Sequence, residues 1–152
     1  MTDKPVAIVT GVGPATGSAI VRRFSAGGFR VVALARSADR INALAGTLPD
    51  VHAIACDVSG ESAVRAAVAE VRQRFGPPDV LVHNAVGGGW GNFQEIDPQM
   101  LRSNFEVNVM GLLYLAREVA ADMVKRGKGT ILVTGNTSSI RGKANFAGFA
   151  PT

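Results

Sequence analysis

The residues best placed to do chemistry lie between a short apolar run and a helical one: Thr10-Gly11-Val12-Gly13-Pro14-Ala15-Thr16-Gly17. Glycines in such a turn let the backbone double back, and let a pyrophosphate approach the amide groups at the N-terminus of the following helix. The Gly-x-Gly-x-x-Gly spacing of many dinucleotide sites fails here, because Thr16 stands at its last position. Gly11, Gly13, Pro14, Ala15, Thr16 and Gly17 are the candidate phosphate contacts. Other chemistries find less support. Cys56 is the single cysteine and reads as a small core hydrophobe within the apolar run 51–56. His52 and His83 have no partners at metal-ligand spacing, so no metal site is expected.

Elements that could position the turn follow in regular alternation. Short β-branched runs at 6–10, 30–35, 51–56, 80–83 and 130–134 read as strands. Helical stretches read at 15–26, 37–45 (with Ser37 as N-cap), 61–75 and 104–126. Val64, Val68, Val71 and Phe75 share one face of the third of these. Asp97-Pro98 looks like an N-cap followed by proline at the first helical position. The glycine cluster 87–91 reads as a mobile loop, with Trp90 either a lid or packed at the sheet edge. Strands apolar on both faces, alternating with helices, imply an α/β fold: a doubly wound parallel sheet of the Rossmann type, with ligands at the carboxyl ends of its strands. The 152 residues are enough for one domain, and neither a repeat nor a linker divides 1–152.

The turn at 10–17 resembles the Thr-Gly-x-x-x-Gly-x-Gly turn of the short-chain dehydrogenase/reductase family, with Ala15 in place of the middle glycine. Further matches follow in the same order. Cys56-Asp57-Val58 is similar to that family's acidic residue after the third strand, which contacts adenine; His83-Asn84-Ala85-Val86 is similar to its Asn-Asn-Ala-Gly motif; Asn108 matches its helix asparagine. The resemblance implies cofactor contacts at Asp57, Val58, Asn84 and Ala85, and an oxidoreductase acting on a small-molecule carbonyl or alcohol. It covers the whole chain but about five of the family's usual seven strands, so the domain reads as incomplete at its C-terminal end. An NAD site usually closes the second strand with Asp or Glu on the ribose hydroxyls. Here Ala35 is followed by Arg36, and a guanidinium suits a 2′-phosphate, so NADP(H) is expected over NAD(H).

The family's proton chemistry is where the resemblance departs. Its members use a Tyr as general acid/base, a Lys four residues later, and a Ser that holds the substrate oxygen. Matching the fifth run places Asn136 at the Ser position and Phe149 at the Tyr position, with the Lys position one residue past Thr152. Tyr114, the only tyrosine, lies inside the long helix. Asn108 and Asn136 are then the candidate catalytic residues, and Phe149 is not expected to be active. Two readings stay open: an oxidoreductase with altered acid/base chemistry, and a dinucleotide-binding sensor or scaffold without turnover.

The net charge of +4 comes from Lys and Arg spread along the chain rather than run together, which argues against a nucleic-acid partner. No apolar stretch reaches the length of a membrane span, no signal peptide is visible, and a cytoplasmic protein is expected. The helix 104–126 carries Val107, Met110, Leu112, Leu113, Leu115, Val119 and Met123 over more than one face. That pattern predicts burial on both sides, and in the resembled family the equivalent helix pairs with its copy, so a homo-oligomer is expected.

Overall fold

The computed structural model describes residues 4–152. Five parallel strands form one sheet in the order β3-β2-β1-β4-β5: β1 Val6–Thr10, β2 Arg30–Ala35, β3 Val51–Ala55, β4 Val80–His83 and β5 Thr130–Val133. The order follows from the connections. Successive crossovers carry β1 to β2 to β3 in one direction, and the next crossover returns β4 to the other side of β1. The switch point therefore lies between β1 and β4, where an open α/β sheet splits to make a ligand crevice.

Side-chain alternation along the strands decides what each face holds. Val6 and Ile8 of β1, Val32 and Leu34 of β2, and Leu81 of β4 share one buried cluster. On that face α3 (Glu61–Phe75) contributes Val64, Val68 and Val71, and α5 (Gly111–Arg126) contributes Leu115, Val119 and Met123. Val9, Val31, Ala33 and Val82 point the other way, against Val21 of α1 (Thr16–Ala26) and Ile41 of α2 (Ala38–Ala45). Each burying face removes several aliphatic side chains from water, at about 1.5–3 kcal/mol for each fully buried one. At the sheet edge β5 differs, since all four of its residues are exposed, Ile131, Leu132 and Val133 among them.

The helix expected at 104–126 is longer and interrupted. It begins as α4 (Pro98–Phe105), capped by the Asp97 side chain on the Gln99 amide at 2.9 Å. It widens to a π-helical segment, Glu106–Met110, then continues as α5. The periodicity of the apolar residues does not distinguish a π turn from an α turn, which is why the widening was invisible in the pattern. Nor is the helix buried all round within this chain: Leu113 and Val124 are exposed while Leu115, Val119 and Met123 are buried. Ser37 occupies the N-cap of α2 with extended backbone, as read, but its side chain makes no capping bond. No helix of the described residues is long and apolar enough to cross a membrane.

The loop at 87–91, expected to be mobile, is tied down. The Gly91 N–H donates to Asn145 O at 3.1 Å and the Ala147 N–H donates to Gly91 O at 3.2 Å. Trp90 meets Phe146 edge to face, their centroids 4.6 Å apart. Asn104, buried on α4, donates from Nδ2 to Gly148 O at 2.6 Å. The stretch 143–152 is thus clasped to the loop and to α4, a pairing that glycine content alone does not disclose.

Candidate functional site

The glycines of the first turn fall into two kinds. A Cβ on Gly11, whose φ is +65°, would stand 2.4 Å from the Ala85 Cα, and one on Gly17 would stand 2.5 Å from Gly11 O. These two let the β1 and β4 turns and the start of α1 close upon one another. A Cβ on Gly13 would meet nothing within 4 Å. Gly13 therefore borders space that the fold does not need for itself. Ser18 N reaches back to Gly13 O at 3.1 Å, and the first amides of α1 are left without intrahelical acceptors, the usual state of a helix N-terminus.

Thr10 ties this turn to the next strand. Its Oγ1 accepts from the amides of Asn84 and Ala85, both at 3.2 Å. With both lone pairs engaged, its proton goes to the remaining neighbour, His83 Nδ1 at 3.3 Å, which leaves the His83 proton on Nε2. His83 Nε2 is buried and has no hydrogen-bond partner. Burial lowers the His83 pKa, and the nearby backbone of Asn108 and Val107 pulls it back only in part. His83 is neutral at pH 7, a packed polar group at the end of β4. Asn84 Nδ2 donates to Gly11 O at 2.9 Å, a further bond between the two turns.

Above these turns two adjoining cavities make one cleft along the carboxyl ends of the strands. The first, about 310 Å³, is lined by Gly13, Ala35, Arg36, Asp57, Val58 and Ala85 among others. The second, about 440 Å³, runs over Pro14, Ala15, Thr16, Gly17 and Asn84 to Asn108, Asn136, Phe149 and Thr152. Every residue singled out from the sequence as a candidate contact lines one or the other. Arg36 is exposed and makes no ion pair among the described residues. Asp57 accepts from the Ser59 hydroxyl at 2.7 Å and the Ser59 amide at 3.0 Å; these bonds, with the Arg36 charge, hold its carboxyl below the usual range. Cys56, at the floor of the first cavity, is pushed up to about 11 by burial and by the Asp57 charge, so it stays a thiol at neutral pH.

Asn108 lies in the π-helical segment, a geometry that recurs at functional sites. Its Oδ1 accepts from the Gly87 amide at 2.7 Å, and its Nδ2 donates to Gly87 O at 3.0 Å and to Thr152 Oγ1 at 2.8 Å. The carboxamide clamps the loop after β4 to the last residue of the described chain. Gly111 brings the same helix close to Val58, since a Cβ there would lie 3.1 Å from Val58 O. Sequence reasoning missed Gly87 and Thr152 as residues of the cleft, and Asn104 as the residue that holds Gly148 beside it. Each acts through a contact between segments far apart in the chain, and nothing in its local pattern signals that.

A twisted parallel sheet with helices on both faces, split at its switch point over a glycine turn, is a Rossmann-type nucleotide-binding fold. The model of the short chain dehydrogenase family matches residues 5–151, and the chain belongs to that family. Farnesol dehydrogenase of Aedes aegypti is 37% identical over 132 residues, 80% of this chain and 52% of that protein. L-xylulose reductase of Bos taurus is 31% identical over 147 residues, 96% of this chain and 59% of that protein. Among solved structures, actinorhodin polyketide ketoreductase with NADPH superposes with a TM-score of 0.93 at 30% identity, over 99% of this chain and 60% of its own. The chain spans a little over half the length of the curated relatives it matches.

Proposed function

We propose that this chain is the cofactor-binding part of an NADP(H)-dependent oxidoreductase acting on a small-molecule carbonyl or alcohol. The observation that carries the reading is the open space at Gly13 above the N-terminus of α1, continuous with a cavity whose far end holds Arg36 and no carboxylate on β2. The residues fit a dinucleotide. Ala15, Thr16 and Gly17 offer backbone amides to a pyrophosphate where the open face of Gly13 admits it, Asp57 and Val58 flank the adenine end, and Arg36 meets a 2′-phosphate. The solved ketoreductase with NADPH supports the same cofactor.

When bound, the reduced nicotinamide supplies a hydride. The chain's own part is to hold the carbonyl so that its oxygen, on receiving the π-bond electron pair, meets a hydrogen-bond donor. Asn136 is the donor on this wall, and Phe149 beside it has no ionisable group. The proton that completes the alcohol then comes from water or from another side chain of the cleft. Asn108, with its carboxamide bonded to Gly87 and Thr152, serves by positioning those segments. The exposed Phe105, Leu113 and Val124 on the helix 98–126 support self-association through that face.

A second reading, a dinucleotide-binding sensor or scaffold without turnover, draws on Phe149. Fluorescence titration of the full-length protein with NADPH, followed by a panel of ketones and aldehydes, separates the two. Binding with reduction of at least one carbonyl supports the oxidoreductase; binding with none supports the sensor; failure to bind refutes both.

A further inference from the structure

The Asn136 carboxamide is anchored at one end only. Its Oδ1 accepts from the Ser138 backbone N–H at 2.9 Å and from the Ser138 hydroxyl. A backbone N–H can only donate, so the atom it meets is the carbonyl oxygen, and the amide nitrogen occupies the opposite end. Ser138 is buried, whereas Asn136 is half-buried on the cleft wall beside Asn84, Asn108 and Phe149. The 3₁₀ turn Thr137–Ser139 fixes their relation, with Ser139 Oγ donating to Asn136 O at 2.7 Å. No group among the described residues accepts from Asn136 Nδ2 within hydrogen-bond distance.

We propose that Ser138 is a positioning residue that pins the Asn136 carboxamide, so that its NH₂ group alone is offered to the substrate oxygen. The proposal rests on the oxidoreductase reading above. Its consequence is chemical. A hydroxyl at this place could donate or accept, but an amide whose oxygen is already engaged twice can only donate. A donor-only contact matches a carbonyl oxygen gaining negative charge, and it offers no acceptor for the proton of a bound alcohol. Without Ser138 the carboxamide could turn and present its oxygen, an acceptor aimed at the developing charge.

Two measurements on the full-length protein test this. The first is ¹⁵N relaxation of the Asn136 side-chain NH₂, with and without NADP⁺, in wild type, Ser138→Ala and Ser138→Thr. A rigid amide in the wild type and in Ser138→Thr, but a mobile one in Ser138→Ala, is expected. An amide mobile in the wild type, or equally rigid in Ser138→Ala, overturns the proposal without reference to turnover. The second is steady-state reduction of acetophenone and cyclohexanone by NADPH. Ser138→Ala should lower kcat roughly two- to tenfold, the worth of one neutral hydrogen bond, with NADPH affinity unchanged and recovery in Ser138→Thr. Asn136→Asp keeps both anchoring bonds and loses the donor, so it should cost on the order of a hundredfold in kcat. Unchanged kcat in either variant overturns the proposal even where the folds are intact. If the wild type binds NADPH and reduces no member of the wider panel of ketones and aldehydes, the oxidoreductase reading fails, and the relaxation data still decide whether Ser138 sets the amide.

Discussion

Replacing Gly13 with Val puts the phosphate assignment to a quantitative test, because the structure separates the cost to the fold from the cost to the ligand. A Cβ at Gly13 meets no atom within 4 Å, and Gly13 is not among the glycines with positive φ. The new Cβ therefore has room in the protein, and the stability change should stay within about 1 kcal/mol, or roughly 2–4 °C in Tm. The ligand has no such freedom. The side chain would fill the space through which a pyrophosphate reaches the first amides of α1, where each charge-assisted hydrogen bond is worth about 1.5–3 kcal/mol. Losing two of them raises the Kd for NADPH by roughly 10²–10⁴. The assay is fluorescence titration beside a thermal melt and far-ultraviolet circular dichroism. Gly11→Ala is the contrasting variant: φ is +65° and its Cβ would lie 2.4 Å from the Ala85 Cα, so it should lose the fold together with binding. Gly13→Val that folds and still binds NADPH with wild-type affinity would refute the argument that this turn receives the phosphates.

Other outcomes follow from the same geometry. Arg36→Ala should weaken NADPH roughly ten- to a hundredfold while leaving NADH nearly unchanged; equal wild-type affinities for the two cofactors would contradict the role of Arg36. Phe149→Tyr with Asn136→Ser should raise carbonyl reduction in the full-length protein more than either change alone, because a phenol with a pKa near 10 needs both a nearby cation and an ordered substrate oxygen; a wild type already turning over at 1–10³ per second, roughly the ordinary enzyme range, would show another proton donor. Acid stability should report His83. Its folded pKa is lowered by burial, so the unfolded chain takes up its proton first; the neutral residue's contribution is full above the ordinary histidine value, about 6.5, and is lost as pH falls toward the lowered folded value. Urea melts of wild type and His83→Asn between pH 5 and pH 8, the range around that ordinary value, should show a steeper loss for the wild type on the acid side; parallel curves would refute it.

The layered α/β architecture was legible because it follows from local patterns. Runs of four to six residues, β-branched and apolar on both faces, read as buried strands, and helices with one apolar stripe cover them. The order of Thr10–Gly17, Asp57, Asn84 and Asn108 along the chain placed each at the carboxyl end of a strand or on the helix beside it. Distinguishing Gly13 from Gly11 and Gly17 was not possible from sequence, since all three are the same residue in one turn. What separates them is the approach of Ala85 to Gly11 and the contact of Gly17 with Gly11 itself.

Side-chain roles in the second cavity were decided by tertiary contacts alone. Asn108 is singled out by its resemblance to the family's helix asparagine, which does not say what its carboxamide touches. Its clamp on Gly87 and Thr152 exists because a π turn sets it beside segments 21 and 44 residues away in sequence. The loop at 87–91 is glycine-rich and looks free, yet pairing with 145–147 fixes it. Hydrogen bonds of this kind depend on where two backbones meet in space. Composition and periodicity carry information only about neighbours along the chain, so they place the strands and helices in order but not the π turn within the long one. The packing of those elements decides which polar atoms are consumed by the fold and which, like Asn136 Nδ2, are left without a partner among the described residues.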